Sequence, residues 1–209
     1  MICISLVGER SGRSLAIAAA VAMATCLAAC GGKSEPLGPT ATLPVGTTTT
    51  NPYAVPEVID EAYVNRVLAG LDAAVGDMLR LVVGSRTIPP EALERLRALY
   101  VGERRQVQLD FLSKDIADGF VNYKQPPGNQ VTRVSILIDA KPSCVFAEVS
   151  RNYSGIAINS SEEFRIQWVV LLPADQNGGI SIYNPTHWVY VYDGLERDRS
   201  APENPCASR

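Results

Sequence analysis

Residues 125–150 read QPPGNQVTRVSILIDAKPSCVFAEVS, and the chain changes its period inside them. Pro126-Pro127-Gly128-Asn129 is a turn signal. After it Val134, Ile136 and Ile138 alternate with Ser135 and Asp139, Lys141-Pro142 interrupts, and Val145, Ala147 and Val149 alternate with Glu148 and Ser150. A period of two residues predicts two half-buried strands joined by a short connection.

The same period continues toward the C-terminus. Phe164, Ile166, Trp168, Val170 and Leu172 alternate with Arg165 and Gln167. Asp175-Gln176-Asn177-Gly178-Gly179 reads as a turn, and His187 to Asp193 reads as a last strand with Trp188, Tyr190 and Tyr192 on one face. Toward the N-terminus the period is helical. Val64, Leu68, Leu71, Val75, Met78 and Val82 recur at steps of three and four, between a start at Pro56-Glu57 and a stop at Gly84-Ser85. Gly70 and Gly76 lower the intrinsic stability of that helix, and their missing side chains suit a close approach to a sheet. Thr87-Ile88-Pro89-Pro90-Glu91 begins a second helix, whose apolar face is Leu93, Leu96, Leu99 and Tyr100. A third is expected over 104–117, with Val107, Phe111 and Ile116 inward. Helices first and four strands with short connections after them predict an α+β domain. Its N-terminal helices pack on one face of a curved antiparallel sheet of about four strands.

This order of elements, from Glu57 to Asp193, resembles the cystatin-like cone, the nuclear-transport-factor-like superfamily. The resemblance implies a cone that encloses a pocket in some members. Members include enzymes, ligand binders and assembly modules, so fold alone does not choose among these functions.

Ahead of the domain, Arg10 and Arg13 precede an apolar run from Leu15 to Ala29, broken only by Thr25. Such a layout is that of a signal peptide, and the run falls short of the roughly 20 residues of a membrane span. Leu27-Ala28-Ala29-Cys30 resembles a bacterial lipobox. The resemblance implies a diacylglycerol thioether on Cys30, cleavage before it, and attachment to a membrane with the domain on the extracytoplasmic side. Residues 1–29 are then the signal and 30–55 the lipidated cysteine with a tether rich in Pro, Thr and Gly. At about 3.1 Å per residue, a polyproline-like tether of that length spans roughly 75 Å. Residues 56–209 form one domain.

The formal charge is −3 for the chain, and no basic run is present, so nucleic-acid binding is not expected. Of the five cysteines, Cys3 and Cys26 leave with the signal and Cys30 carries lipid. Cys144 and Cys206 remain, in a compartment where disulfides persist. Their bridge is expected to pin the C-terminal tail; two free thiols are the alternative.

Catalytic constellations are scarce. His187 is the one histidine, and no HExxH, GxSxG elbow or phosphate-binding GK[ST] loop occurs. No metal site, cofactor or catalytic residue is assigned. His187 with Asp110 or Asp139 as orienter is the enzymatic reading, beside the plainer one of a surface histidine at a strand start. His187, Trp188, Tyr190 and Tyr192 form the candidate pocket or partner face, beside the plainer reading of aromatic packing. The functional expectation is a membrane-anchored envelope lipoprotein whose domain is a non-enzymatic binding or assembly module with an envelope protein as partner. The alternative is a carrier or sensor of a small apolar ligand, and a small enzyme using His187 ranks third.

Overall fold

The computed structural model describes residues 51–158, 164–177, 181–195 and 203–209. Residues 1–50, which hold the expected signal, Cys30 and most of the expected tether, lie outside the described residues. Three helices, α1 (Glu61–Ser85), α2 (Pro90–Leu99) and α3 (Gly102–Ala117), precede four strands. These are β1 (Val131–Lys141), β2 (Cys144–Asn152), β3 (Arg165–Pro173) and β4 (Trp188–Leu195), with one helical turn, α4 (Ala174–Asn177), between the last two. The strands form one antiparallel sheet in the order β1-β2-β3-β4. The expected α+β architecture is the observed one.

Helix α1 begins at Glu61 rather than at Pro56-Glu57. Asp60 is the N-cap, and its carboxylate accepts a hydrogen bond from the Tyr63 backbone N–H at 2.7 Å. That bond satisfies one of the helix's orphan donors. Ile59 and Val64, on either side of the cap, are both buried, which holds the incoming chain against the first turn. All six apolar positions read from the α1 periodicity are buried. Its glycines admit loops rather than the sheet. A Cβ on Gly70 would meet Thr186 Cγ2 at 2.6 Å, and one on Gly76 would collide with Asn129 of the Pro126–Asn129 turn.

Helix α2 starts with Pro90 at its first position, where the missing N–H costs nothing. The chain then runs extended through Tyr100-Val101, and Gly102, at φ +56°, turns it into α3. Phe111, expected inward, is 56 % exposed, and Leu112 is the buried residue of α3. Leu112 lies one turn from Leu109 and Ile116, and these two pack against the core beside it. The inward stripe is therefore 109-112-116 rather than 107-111-116.

The main core lies between the helices and the inner face of the sheet: Val64, Leu68, Leu71, Met78, Leu96 and Leu99 against Val145, Ala147, Val149, Val169, Leu171, Trp188 and Tyr190. A second core lies on the outer face, where Phe146, Trp168, Val170, Leu172 and Val189 gather around Cys144 and Cys206. These cysteines are disulfide-bonded, with Cα atoms 5.5 Å apart. Lys141 Nζ and Asn204 Nδ2 add hydrogen bonds between β1 and the tail, to the Cys206 carbonyl (2.8 Å) and the Asp139 carboxylate (3.0 Å). Residues 204–206 are thereby held over one end of the outer face.

Candidate functional site

The aromatic stripe of β4 is divided between the two faces of the sheet. Trp188 and Tyr190 are 1 % and 0 % exposed on the inner face. Trp188 Nε1 donates to the Tyr63 hydroxyl at 2.9 Å, and the Tyr190 ring stacks on Tyr100 at 5.4 Å. Between Tyr190 and Tyr192 the pairing register shifts: Leu171 faces Tyr190 but Val170 faces Tyr192. Val191 is the extra residue of a β-bulge, and a bulge breaks the alternation of faces. Tyr192 therefore lies on the outer face, 37 % exposed. Two of the three aromatics offered as a pocket or partner face are core residues.

His187 stands immediately before β4 in the left-handed backbone region, at φ +61°, which histidine enters more readily than most residues. It borders a shallow cleft of about 430 Å³ with Tyr53, Val55, Pro142, Pro173 and Asp175. Its proposed orienters are engaged elsewhere. Asp110 accepts from Gln106 at 2.9 Å, and Asp139 accepts from Asn204 and pairs with Lys141. Tyr53, placed in the tether by sequence, lines this cleft and accepts through its carbonyl from the Tyr63 hydroxyl at 3.0 Å. No group of three or more His, Cys, Asp or Glu side chains able to hold a metal occurs among the described residues.

The charged groups that the fold does bring together were not singled out by sequence. Arg151, 1 % exposed on β2, lies at the centre of a buried network. Its Nη1 donates to Asp193 Oδ1 (2.5 Å) and Gln167 Oε1 (2.9 Å), and its Nε donates to Thr132 Oγ1 (2.8 Å). Thr132 donates in turn to Asp72 through both its hydroxyl and its backbone N–H, and Gln130 Nε2 donates to the same carboxylate. Arg104 of α3 reaches Asp193 from the other side at 3.5 Å. Two arginines thus face two aspartates, which balances the formal charge and offsets part of the cost of burying it. Burial raises the Asp72 carboxyl above its ordinary value; Arg151 and the donated hydrogen bonds oppose that rise without cancelling it. Burial also raises the Tyr190 hydroxyl, with the Arg151 charge opposing.

This cluster and His187 are far apart. Asp193 lies six residues beyond His187 along β4, a separation of roughly 20 Å at about 3.3 Å per residue. The buried carboxylates therefore do not serve the histidine as a catalytic pair. The Arg151 network joins α1, α3 and all four strands, which is a structural role.

The outer face holds the remaining candidate. Register places Arg133, Ser150 and Ile166 in one row and Ile136, Glu148 and Trp168 in the next. Val131 and Phe164 lie just beyond the first row on the same face. Val131, Ile136, Phe164 and Ile166 are 45 %, 54 %, 42 % and 43 % exposed. This apolar patch lies at the end of the sheet opposite the disulfide. No helix among the described residues is long and apolar enough to cross a membrane. No protein family, curated protein or solved structure matches the chain.

Proposed function

We propose that the chain is a membrane-anchored envelope lipoprotein whose exported domain is a non-enzymatic binding or assembly module. The anchor rests on the lipobox resemblance of Leu27-Ala28-Ala29-Cys30. The binding role rests chiefly on one observation: the inner face is filled by packed side chains, while one end of the outer face carries four part-exposed apolar side chains, Val131 and Ile136 on β1, Ile166 on β3 and Phe164 just before it, flanking the polar Ser150 and Glu148 of β2. Single exposed apolar residues are ordinary, and it is the gathering of four at one end of one sheet face that supports an interaction surface. The carrier reading called for an open pocket along the Trp188 face, and the burial of Trp188 and Tyr190 weighs against it. The enzymatic reading called for a carboxylate beside His187 at the floor of a pocket; the cleft there is shallow, its one carboxylate, Asp175, accepts from the Gln176 backbone N–H, and Asp110 and Asp139 are engaged elsewhere, which weighs against that reading.

The working surface is the patch around Ile166. It lies at the end of the sheet opposite the disulfide, and residues 51–55 reach the domain at the disulfide end, beside Pro142 and Pro173. A tethered domain would thus present the patch away from the point where its tether arrives.

The test uses the full chain, exported in a host close to its own. A photo-crosslinking amino acid at Ile166 should yield a protein adduct in intact envelopes, and one at Lys114 of α3 should not. Absence of any adduct at Ile166 sinks the module reading. Native mass spectrometry of the detergent-released protein showing a retained metabolite-sized mass would replace it with the carrier reading. Globomycin should accumulate the uncut precursor, and unchanged processing removes the anchor.

A further inference from the structure

Among the described residues, two charges beside the apolar side chains of this patch have no ion-pair partner. Arg133 stands over the Phe164 ring, with its Cζ 5.9 Å from the centroid. Glu148 lies one row along and one strand over, beside Ile136 and Trp168. Neither has an ion-pair partner among the described residues. Most other charged groups near the sheet are paired: Asp193 with Arg151 and Arg104, and Lys141 with Asp139. An unpaired cation and an unpaired anion therefore sit diagonally to each other inside a patch of exposed Ile and Phe side chains.

We propose that this patch binds a second copy of the same chain across a two-fold axis. The inference rests on the binding-module reading and names its partner. A two-fold contact brings a patch onto itself, so that residue i meets j and j meets i. An axis passing between Arg133 and Glu148, close to Ser150, sets each Arg133 against Glu148 of the second copy. Two ion pairs form at once, and Ile136, Ile166 and Phe164 of both copies close around them. Water is excluded there, so the pairs fix register and orientation while the apolar side chains supply the affinity. One patch satisfies both charges without a second sequence. A bilayer surface would offer anionic headgroups to Arg133 and leave Glu148 facing like charge. A purely acidic partner would do the same. The other end of this face shows why the site is local: there the chain's own residues 204–206 and the disulfide already cover Phe146, Val170 and Leu172.

The experiment is disulfide trapping of the full chain in intact envelopes, with Ser150→Cys as the reporter at the axis. Mild oxidation should give a species of twice the monomer mass on a non-reducing gel. Adding Arg133→Glu, or Glu148→Arg, places like charges opposite each other and should lower the trapped fraction about tenfold or more, as a cost of 1.4 kcal/mol or above implies. Arg133→Glu with Glu148→Arg should restore it, because the swapped patch is again complementary to itself. Retention of the Cys144–Cys206 bridge in each variant reports that it has folded. Light scattering of the detergent-solubilised wild type should give twice the monomer mass after subtraction of detergent. No doubled species from Ser150→Cys with a monomeric wild-type mass overturns the proposal. So does failure of the double swap to restore trapping. An adduct at Ile166 to a protein of different mass also overturns it, yet leaves the binding-module reading standing. Absence of every adduct removes both.

Discussion

At the residue scale, Val191 decides more about this sheet than any aromatic beside it. Strict alternation along 188–193 puts Trp188, Tyr190 and Tyr192 together and sends Asp193 to the opposite side. The bulge at Val191 reverses both assignments, so that Tyr192 faces outward and Asp193 enters the core beneath Arg151. Tyr190→Ala should therefore cost about 3–5 kcal/mol, as large-to-small changes of buried aromatics do. Tyr192→Ala should cost less than about 1 kcal/mol, as a half-exposed site predicts. Chemical denaturation of the two variants measures the contrast, and equal losses would contradict the bulge. Asp72 makes a second residue-scale prediction. Its folded-state pKa is raised, so the native domain binds that proton more readily than the unfolded chain does. Where the native state holds the extra proton, stability rises as pH falls. This gain grows as pH falls through the raised carboxyl range and is complete below the unfolded value. Asp72→Asn removes that gain. The stability difference, wild type minus variant, should widen as pH falls from neutral toward 4. A difference that narrows would mean that Asp72 is held ionised instead. Arg151 and Asp72 were legible after all. Arg151 continues the inward period of Val145, Ala147 and Val149, and Asp72 follows Leu68 by four on the buried stripe of α1. Their polarity disguised a burial that the period implied.

At the element scale, side chains and a loop occupy part of each edge of the sheet. On β1 the outward backbone N–H groups of Thr132 and Val134 donate to Asp72 (2.7 Å) and Asn65 (2.9 Å) of α1. On β4 the carbonyl of Tyr190 accepts from the Val101 N–H at 3.1 Å, so the α2–α3 connection runs alongside as a fragment of a fifth strand. Two further bulges, near Ser135 and Ile138, irregularise the edge strand β1. Such devices discourage edge-to-edge pairing, so the proposed contact uses the face of the sheet and leaves its edges aside. Helix boundaries follow caps. Asp60→Ala should destabilise the domain by about 1 kcal/mol through loss of the N-cap. Phe111→Ser on the exposed side of α3 should stay within about 0.5 kcal/mol of wild type. Thermal unfolding of both variants is the measurement, and a large loss at Phe111 would restore the inward assignment made from spacing alone. Helix α1 was readable because six apolar positions repeat over its length. Helix α3 was misread because its apolar residues are few, and Val107-Phe111 and Leu109-Leu112-Ile116 fit helical spacing equally well.

At the scale of the whole molecule, the disulfide holds the outer face together. Cys144 and Cys206 are separated by 62 residues, and closing a loop of that size contributes about 4 kcal/mol in the chain-entropy account. Replacing both cysteines by alanine should cost about 2–5 kcal/mol. Trp168 belongs to this second core at 8 % exposure, with Phe146 against its ring. Its fluorescence should shift to the red when the tail is released. An unshifted spectrum with unchanged stability would show that residues 204–206 stay in place without the covalent bond.

Period and punctuation determined much of this protein from the sequence alone. They decided the α+β class, the order of three helices and four strands, the buried stripe of α1 and the pairing of the two cysteines left in the domain. All are local or arithmetic features that neighbouring residues state directly. Tertiary structure alone decided which face each β4 aromatic occupies, that two arginines and two aspartates neutralise one another in the core, and that one half of the outer face is covered while the other is open. Those outcomes depend on bulges and on contacts between residues some 40 to 90 positions apart in the chain. A single misplaced residue in a strand moves every later side chain to the other face, and no local pattern records where that residue falls.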